Sequence, residues 1–249
     1  MNVADASTAH ALRSLRLLLE AYASSGELPQ WEAAAAQIRV VRLEPGAVLF
    51  RAGEAHPYVY FVQRGLLKSQ MKVDGGRRLA TVFFSEEGEI MASLPALSMD
   101  GAQRALARSL HPRTRTLNVA AEAQSIYTMT ALEPCLLLRL PFATINQLAA
   151  KHAAWARLIA TVSGLHATTL QMDVAWLRGT PEQRYRDLLA EQPGLIDRVT
   201  QRDLANFLNI TSVALSRIAK RVRDESEIMP DAEVAEGTGL SVEARHSTA

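Results

Sequence analysis

The spacing of apolar residues changes twice along the chain. Apolar positions recur every three or four residues near the N-terminus, form short runs between about residues 38 and 140, and return to helical spacing after 141. The first region predicts a helix over 8–25, with Ser7 or Thr8 as its N-cap. Its apolar stripe consists of Leu12, Leu15, Leu19 and Tyr22.

The middle region has the pattern of short β-strands. Its apolar runs cover 40–43, 47–50, 59–62, 66–71, 79–84, 126–131 and 136–140. Glycines stand between the early runs, where chain reversals favour a residue that accepts positive φ. Regular short strands separated by such turns predict a β-sandwich, barrel or roll.

The strand pattern stops between Ser98 and Glu122. This segment carries four arginines and no alternation, so we interpret it as an insertion that begins helical and continues as a loop. Two roles remain open for its positive charge. It is a solvated surface loop, or it contacts DNA or another partner.

Residues 141–177 predict one long helix with a single apolar stripe. A long helix with a narrow stripe is typical of a dimer contact. The alternative is that the stripe, at least in its N-terminal part, covers the β-domain of the same chain. The stripe residues that we assign to the dimer helix are Trp155, Ile159, Val162, His166, Thr169 and Met172.

A further helix is predicted from the segment Thr180-Pro181-Glu182-Gln183. Thr180 can serve as N-cap, Pro181 suits the first helical position, and Gln183 completes a capping box. We expect this helix to end near Glu191, with Pro193-Gly194 as its stop signal.

Residues 199–223 predict two helices joined by a tight turn. Thr200 can cap a helix from 201 to about 208, and Asn209 tolerates the left-handed backbone of a turn. Thr211 or Ser212 can cap a second helix that runs to about Arg223. Two helices joined in this way form a helix-turn-helix.

The charge of this segment favours DNA binding over a merely solvated helical hairpin. Residues 200–223 carry five basic side chains and one acidic side chain. The second helix would lie in the major groove, where Arg217 can pair with a guanine, while Arg221 suits a phosphate. The candidate DNA-binding residues are Thr200, Gln201, Ser212, Val213, Ala214, Ser216, Arg217, Lys220 and Arg221.

Composition and the remaining residues narrow the function class. The net charge of +1 is uninformative, and the single Cys135 permits no internal disulfide, which suits a reducing cytoplasm. The N-terminus has the pattern of an amphipathic helix rather than a secretory signal, and no apolar run is long enough to span a bilayer. The six histidines show no metal-ligand spacing, and no catalytic motif is present. We therefore expect neither a metal nor an enzyme.

Two segments in this order resemble the Crp/Fnr superfamily of bacterial transcription regulators. The first is "LEPGAVLFRAGEAHPYVYFVQRGLLK", which resembles the opening of a cyclic-nucleotide-binding-type β-roll. The second is "TPEQRYRDLLAEQPGLIDRVTQRDLANFLNITSVALSRIAKR", which resembles the DNA-binding part. The resemblance covers roughly 38–223. It implies an α+β fold with an N-terminal β-roll (jelly-roll-like) sensory domain, a long dimerisation helix and a C-terminal helix-turn-helix domain.

The resulting domain prediction has five parts. Residues 1–37 form an N-terminal helical segment, and 38–140 form the β-roll with its insertion at about 98–122. Residues 141–178 form the dimerisation region, 179–225 the DNA-binding domain, and 226–249 an acidic tail that we expect to be disordered. That tail stands where family members with a winged domain carry a β-hairpin, and it either solubilises the chain or masks the recognition helix.

The effector site departs from the cyclic-AMP-binding members of the family. Those members use a second Gly-Glu pair for the ribose and an Arg-Ser pair for the phosphate. Counted from Gly88, the first pair falls on Ala92-Ser93. Counted back from the predicted strand over 136–140, the second pair falls on Ser125-Ile126, so the acidic and basic groups are lost. A buried phosphate without a cation is costly, and we expect no cyclic nucleotide, although arginines of the insertion could substitute. The degenerate pocket is thus Gly88, Glu89, Ala92, Ser93, Ser125 and Ile126.

The function predicted from the sequence is a dimeric, cytoplasmic, sequence-specific DNA-binding regulator with an altered or absent effector pocket. Its implied partners are double-stranded DNA and a second copy of the chain, with RNA polymerase as a further candidate. The alternative is a ligand-binding or protein-interaction adaptor of the cyclic-nucleotide-binding type that binds no specific DNA sequence.

Overall fold

The computed structural model describes residues 3–24, 26–93 and 124–228, with side chains described from residue 8 to residue 225 of those ranges. Helices at the N-terminus precede two antiparallel β-sheets, and further helices follow the sheets to the C-terminal end of the described chain. The predicted insertion at 98–122 and the tail beyond residue 228 lie outside the described residues.

The first helix, α1 (Val3–Ala23), starts earlier than the sequence predicted. Ser7 and Thr8 lie inside it, so neither is the N-cap, because an N-cap has a non-helical backbone. Alanines at 4, 6 and 9 are strong helix formers and favour this extension. The predicted stripe packs inward, with Leu15 and Leu19 buried. A short helix, α2 (Trp31–Ala35), follows.

Eight strands build the two sheets within the described residues. The first sheet has the order β1-β8-β3-β6 and the second the order β2-β7-β4-β5, with every pairing antiparallel. The strands are β1 (Arg39–Leu43), β2 (Val48–Phe50), β3 (Tyr58–Arg64), β4 (Leu67–Val73), β5 (Arg78–Ser85), β6 (Ile90–Ala92), β7 (Thr128–Ala131) and β8 (Cys135–Pro141). Seven of them match predicted runs. The sequence prediction missed β6, whose three residues are too few to show an alternation.

The space between the two sheets is filled by large side chains. Tyr60, Val62, Met129 and Leu137 are almost fully buried there. At the corner between β3 and β4, a Cβ on Gly65 would lie 2.6 Å from the sulfur of Cys135, and its φ is +103°. Only glycine therefore fits this corner.

The predicted single helix over 141–177 is two helices, α3 (Phe142–Ala149) and α4 (Ala153–Trp176). The break lies at His152, whose backbone is extended (φ −136°, ψ 118°) while its N–H still donates to the Leu148 carbonyl. This break turns the chain so that Leu148 and Trp155 enter the same cluster as Leu15 and Leu19 of α1. The prediction of one continuous stripe was wrong because tertiary packing divides it.

Four helices complete the described chain: α5 (Pro181–Glu191), α6 (Pro193–Arg198), α7 (Gln201–Phe207) and α8 (Ser212–Ile228). Helix α5 ends before Pro193, as predicted. Pro193 also opens a further helix, α6, as a first-turn proline. Helix α8 continues five residues past Arg223, and it takes residues 226–228 from the predicted tail. No proline lies between Ser212 and Pro230, and the residue before a proline disfavours helix, so the helix can continue to this point.

The cap of α5 is half of the predicted capping box. The Thr180 hydroxyl oxygen accepts the Gln183 N–H at 3.2 Å, as expected. The Gln183 side chain does not return to the cap and instead donates to Asp187 at 2.7 Å.

The described residues contain no helix long and apolar enough for a membrane crossing.

Candidate nucleic-acid interface

The turn between α7 and α8 has the local chemistry that its sequence predicts. The Thr200 hydroxyl oxygen accepts the Asp203 N–H at 3.1 Å and caps α7. Asn209 has a left-handed backbone (φ 54°). Of the two candidate caps for α8, Thr211 is the one that caps the helix, since its hydroxyl oxygen accepts the Ala214 N–H at 3.2 Å. Each helix thus has a threonine cap at its N-terminus, and Asn209 forms the turn between them.

The inner surfaces of α7 and α8 share one apolar cluster. Ala205, only 2% exposed, allows the two helices to approach closely, and its carbonyl accepts the Ile210 N–H at 2.9 Å across the turn. The cluster also contains residues of α5 and α6, so four helices form one small domain. Its buried members from α7, the turn and α8 are Leu204, Ala205, Leu208, Leu215, Ile218 and Val222.

The outer surface of α8 carries most of the predicted DNA-binding residues. We call Ser212, Val213, Ser216, Arg217 and Lys220 the free face of α8, because all five are exposed. Val213 is 63% exposed, a large fraction for an apolar side chain. Neither Arg217 nor Lys220 has an ion-pair partner among the described residues. Of the remaining candidates, Thr200 and Gln201 are exposed at the start of α7, and Ala214 is half-buried.

Arg221 differs from its neighbours on α8 because it is already paired. Its Nη1 lies 2.5 Å from Oε2 of Glu182, at the start of α5. Glu182 also pairs with Arg186 at 3.0 Å, and Arg186 pairs with Glu225. The positive charge of Arg221 is therefore partly neutralised within the chain, which the sequence prediction did not include.

Arg184 joins α5 to both neighbouring segments, and the sequence prediction missed it. Although only 6% exposed, it donates to the carbonyls of Leu177 at 3.0 Å and Gly179 at 2.6 Å, at the end of α4. It also donates to the carbonyl of Leu208 at 2.8 Å, at the end of α7. A buried guanidinium needs hydrogen-bond acceptors, and these three carbonyls supply them for Nη1 and Nη2, whereas Nε has no partner among the described residues. Arg184 therefore positions the helix-turn-helix relative to α4.

The helix-turn-helix also docks on the β4–β5 hairpin (67–85). The Asn206 side chain accepts the Thr81 N–H at 2.8 Å and donates to the Leu79 carbonyl at 3.0 Å, so it pairs with the edge strand β5. Beside it, Lys68 of β4 forms an ion pair with Asp203 at 2.6 Å, and both side chains are less than one-fifth exposed.

A second polar contact and an apolar contact complete this docking. Arg198, at the end of α6, pairs with Glu87 at 3.0 Å and with Glu133 at 2.5 Å, and these bonds raise its pKa above the ordinary value. Between the polar groups, Phe207 contacts Phe84 of β5, with ring centroids 5.2 Å apart. The partners are distant in sequence, so no local pattern identifies them.

The residues of the degenerate pocket occupy backbone and packing roles. The N–H of Gly88 (φ 89°) donates to the Val62 carbonyl, and the Val62 N–H donates to the Glu89 carbonyl, both at 2.9 Å. These two bonds close a turn on β3 and leave the Glu89 side chain exposed. Ala92 pairs with Val59 in the sheet.

The second half of the same set is also tied to the protein. The Ser125 hydroxyl donates to the Tyr127 carbonyl at 2.8 Å and accepts the Tyr127 N–H at 3.1 Å. Ser125 and Ser93 are buried, whereas Ile126 is half-buried. None of these four side chains, Ala92, Ser93, Ser125 and Ile126, carries a charge that could replace a ribose-binding acid or a phosphate-binding base.

An aromatic cluster lies beside this region. The ring of His56 lies 4.0 Å from that of Phe50 and stacks on that of Tyr60 at 5.4 Å between centroids. Burial lowers the pKa of His56 to about 4, so its imidazole is neutral at physiological pH. Burial also raises the pKa of Tyr60 to about 12. These rings fill the sandwich as packing groups.

The predicted dimer-helix residues divide into two groups along α4. Trp155 is fully buried in its own chain and donates its indole N–H to the Pro29 carbonyl at 2.8 Å. Ile159 and Val162 pack against the same cluster, and His166 is half-buried. Thr169 is exposed, and Met172 is 68% exposed. Trp155, Ile159 and Val162 therefore follow the alternative prediction, in which the N-terminal part of the stripe covers its own chain. The second half of α4 stays uncovered.

The exposed half of α4 is unusually apolar for a surface. Leu165 is 51% exposed, Leu170 47%, Val174 54% and Leu177 49%. Leu165, Thr169 and Met172 follow one another at spacings of four and three, which is the spacing of core positions in coiled coils. Among the described residues, no cluster of three or more His, Cys, Asp or Glu side chains is arranged to hold a metal.

Comparison with known proteins identifies the fold. No family model and no curated protein matches the sequence. Among solved structures, FixK2 from Bradyrhizobium japonicum aligns with a TM-score of 0.58 and 15% identity, over 76% of this chain and 86% of that chain. The c-di-GMP-responsive global regulator CLP from Xanthomonas campestris aligns with 0.54 and 14%, over 78% and 91%.

A CooA mutant from Carboxydothermus hydrogenoformans gives the same picture, with a TM-score of 0.54 and 11% identity over 79% of this chain and 81% of that chain. Such low identities establish a common fold and leave the activity open. This chain therefore shares the fold of these three structures, with a β-sandwich before a long helix and a C-terminal helix-turn-helix.

Proposed function

We propose that this protein is a Crp/Fnr-type transcription regulator that binds specific DNA sequences as a homodimer. The observation that carries the proposal is the free face of α8, an exposed and basic surface on a helix whose start is capped by Thr211. The N-terminal part of such a helix enters the major groove, where Ser212, Val213 and Ala214 would lie over base edges. An exposed apolar Val213 suits contact with a thymine methyl group.

Arg217 is the residue that we assign to direct base recognition. It follows Val213 by one helical turn on the same face, and its guanidinium has no partner among the described residues. A guanidinium that is not engaged within the protein can donate two hydrogen bonds to guanine O6 and N7. Lys220 and Arg221, with Thr200 and Gln201 at the start of α7, are better placed for phosphates.

The homodimer would form through the second half of α4. Two copies of the stripe that contains Leu165, Thr169 and Met172 would pack together as a two-stranded coiled coil. This arrangement would remove large apolar side chains from water, the main driving force of stable association. It would also place two copies of α8 about one turn of DNA apart, roughly 34 Å, and so favour a palindromic site.

The effector site of this regulator is altered or absent, and we propose that cyclic nucleotides do not bind in the family's usual manner. The supporting observation is that Ala92, Ser93, Ser125 and Ile126 present no charged group to a ribose or a phosphate. A nucleotide phosphate transferred from water would lose several kcal/mol without a cation, about the cost of burying an unpaired charge. A thermal-shift screen tests this, and a shift with cyclic AMP would contradict it.

The proposed activity involves no catalysis, and its setting is the cytoplasm, where chromosomal DNA and RNA polymerase are available as partners. The test of the whole proposal is selection of bound duplexes from a random DNA library with the full chain. We expect a motif with two-fold symmetry. Binding that is salt-sensitive but indifferent to sequence would instead support an adaptor that acts through protein contacts.

A further inference from the structure

The end of the β4–β5 hairpin lies directly beside the helix-turn-helix. Arg78, the first residue of β5, donates from Nη1 to Oδ1 of Asn209 at 3.1 Å. Asn209 is the left-handed residue of the turn between α7 and α8. A direct hydrogen bond therefore joins the hairpin to the turn that leads into the recognition helix.

The hairpin is held there by more than this bond. Asn206 pairs with Leu79 and Thr81 of β5, one and three residues past Arg78. Two anchor points along one strand fix its direction as well as its distance. The end of the hairpin is therefore held beside the turn at a defined place.

The end of the hairpin is basic and exposed. Its sequence is "KVDGGRR", with three positive side chains against Asp74 alone. Asp74 is engaged by Nε of Arg78 at 3.2 Å, so it does not neutralise the other two. Lys72 and Arg77 are exposed and form no ion pair with any described residue. Two unpaired cations thus remain on this surface.

These two cations lie on the hairpin end that adjoins the proposed DNA surface. Ser212 is three positions after Asn209, so their Cα atoms are at most about 11 Å apart. The N-terminal end of a recognition helix is the end inserted between the two phosphate chains that border the major groove, which is about 12 Å wide. A lysine or arginine side chain beside the preceding turn can reach the nearer of these phosphate chains.

We propose that the β4–β5 hairpin is a second DNA-contacting surface, on which Lys72 and Arg77 bind backbone phosphates next to the site of the recognition helix. Arg78 is a positioning residue, since it joins the hairpin to Asn209. This inference rests on the proposed function. Phosphate contacts carry no base information, so the hairpin adds affinity and fixes the register of the protein on the duplex.

The test compares the double variant Lys72→Ala/Arg77→Ala with the matched double variant Arg42→Ala/Arg51→Ala. The matched pair removes the same charge from exposed positions on β1 and directly after β2, the strand at the opposite edge of the sheet from β5. Affinity for the selected duplex and for a random duplex of equal length is measured across a salt series. Thermal unfolding checks that both variants remain folded.

We expect the hairpin variant to lower the slope of log K against log salt by about 1.8 for each bound subunit, from two lost phosphate contacts. Its affinity should fall about tenfold or more near 0.15 M salt on both duplexes, so that the preference for the selected site is unchanged. The matched variant should change the slope much less.

Equal slopes for the two double variants would overturn the hairpin proposal. The result is separable from the proposed function through Arg217→Ala. If that variant loses sequence preference while the hairpin variant matches its control, only the hairpin proposal fails. If the unaltered protein selects no motif, the proposed function fails, and the hairpin contribution can still be read from the random duplex.

Discussion

The two helices of the helix-turn-helix differ in how far their own chain occupies them. Helix α7 is occupied by its own chain, because Asp203 and Asn206 are bound to the β4–β5 hairpin and Phe207 packs on Phe84. Helix α8 leaves Arg217 and Lys220 on its free face without ion-pair partners among the described residues. A side chain whose donors are satisfied internally has little left to offer a ligand. This difference is why we propose that α8 reads DNA and that α7 supports it.

The long helix α4 repeats this division. Its first half is buried against α1, with Trp155 at its centre. Its second half exposes leucine, valine and methionine side chains to solvent. In both places, one part of a helix is fixed by the chain itself and the other remains available to a partner. The following predictions test which surfaces belong to which group.

The largest expected effect is on the support. Arg184→Ala removes a buried guanidinium and leaves the carbonyls of Leu177, Gly179 and Leu208 without their donors. We expect the free energy of unfolding to fall by about 3 kcal/mol. Chemical denaturation measures it. Arg186→Ala is the control, since that arginine is on the same helix with surface ion pairs only; an equal loss in both variants would contradict the role of Arg184.

The next effect concerns the uncovered half of α4. Met172→Glu places a charge in the proposed seam, where two copies would face each other. We expect the dimer to dissociate at least about tenfold more readily, which corresponds to about 1.4 kcal/mol. Sedimentation equilibrium measures this. Leu17→Glu, on the equally exposed surface of α1, should leave the association unchanged. A variant at Met172 that stays as dimeric as the original protein would rule out this seam.

A smaller effect should follow from breaking the docking of α7. Asn206→Ala removes both side-chain bonds to β5, which together contribute about 1–2 kcal/mol to the contact. The Thr81 amide should then exchange its hydrogen faster, because its acceptor is lost. Asn206→Asp retains an acceptor for that amide and should slow the exchange again. Unaltered exchange in the alanine variant would show that the docking does not persist in solution.

The smallest expected effect concerns Arg221, the arginine of α8 that forms an ion pair with Glu182. Glu182→Gln removes the partner of Arg221 and should leave its charge available to phosphate. Affinity for DNA should rise two- to threefold, roughly the effect of one weak surface ion pair, equally on all sequences. Filter binding or fluorescence anisotropy measures it. Asp187→Asn removes the same charge from α5 without releasing a cation, and an equal gain there would assign the effect to charge alone.

The elements that the sequence predicts well are those set by neighbouring residues. Thr180 and Thr200 each cap a helix through a hydroxyl and an N–H three residues away, and Asn209 takes the left-handed turn. Such signals act over a few residues, so they are visible in the sequence. The strands between 39 and 85 were predicted for the same reason, from alternation and glycine turns.

The docked surfaces could not be predicted in this way. Lys68 and Asp203 are 135 positions apart, and Asn206 pairs with the backbone of β5 rather than with a recognisable side chain. The break at His152 also depends on packing against residues that are distant in sequence. Long-range partners of this kind became visible only in the structure.

The central claim, that the free face of α8 reads DNA through Arg217, is tested most directly by the affinity ratio between the selected duplex and a random duplex. Losing a bidentate guanine contact costs about 1–3 kcal/mol of discrimination. Arg217→Ala should therefore lower this ratio at least about fivefold, while Lys220→Ala should weaken both duplexes alike and leave the ratio intact. A ratio that is unchanged by Arg217→Ala would contradict the account.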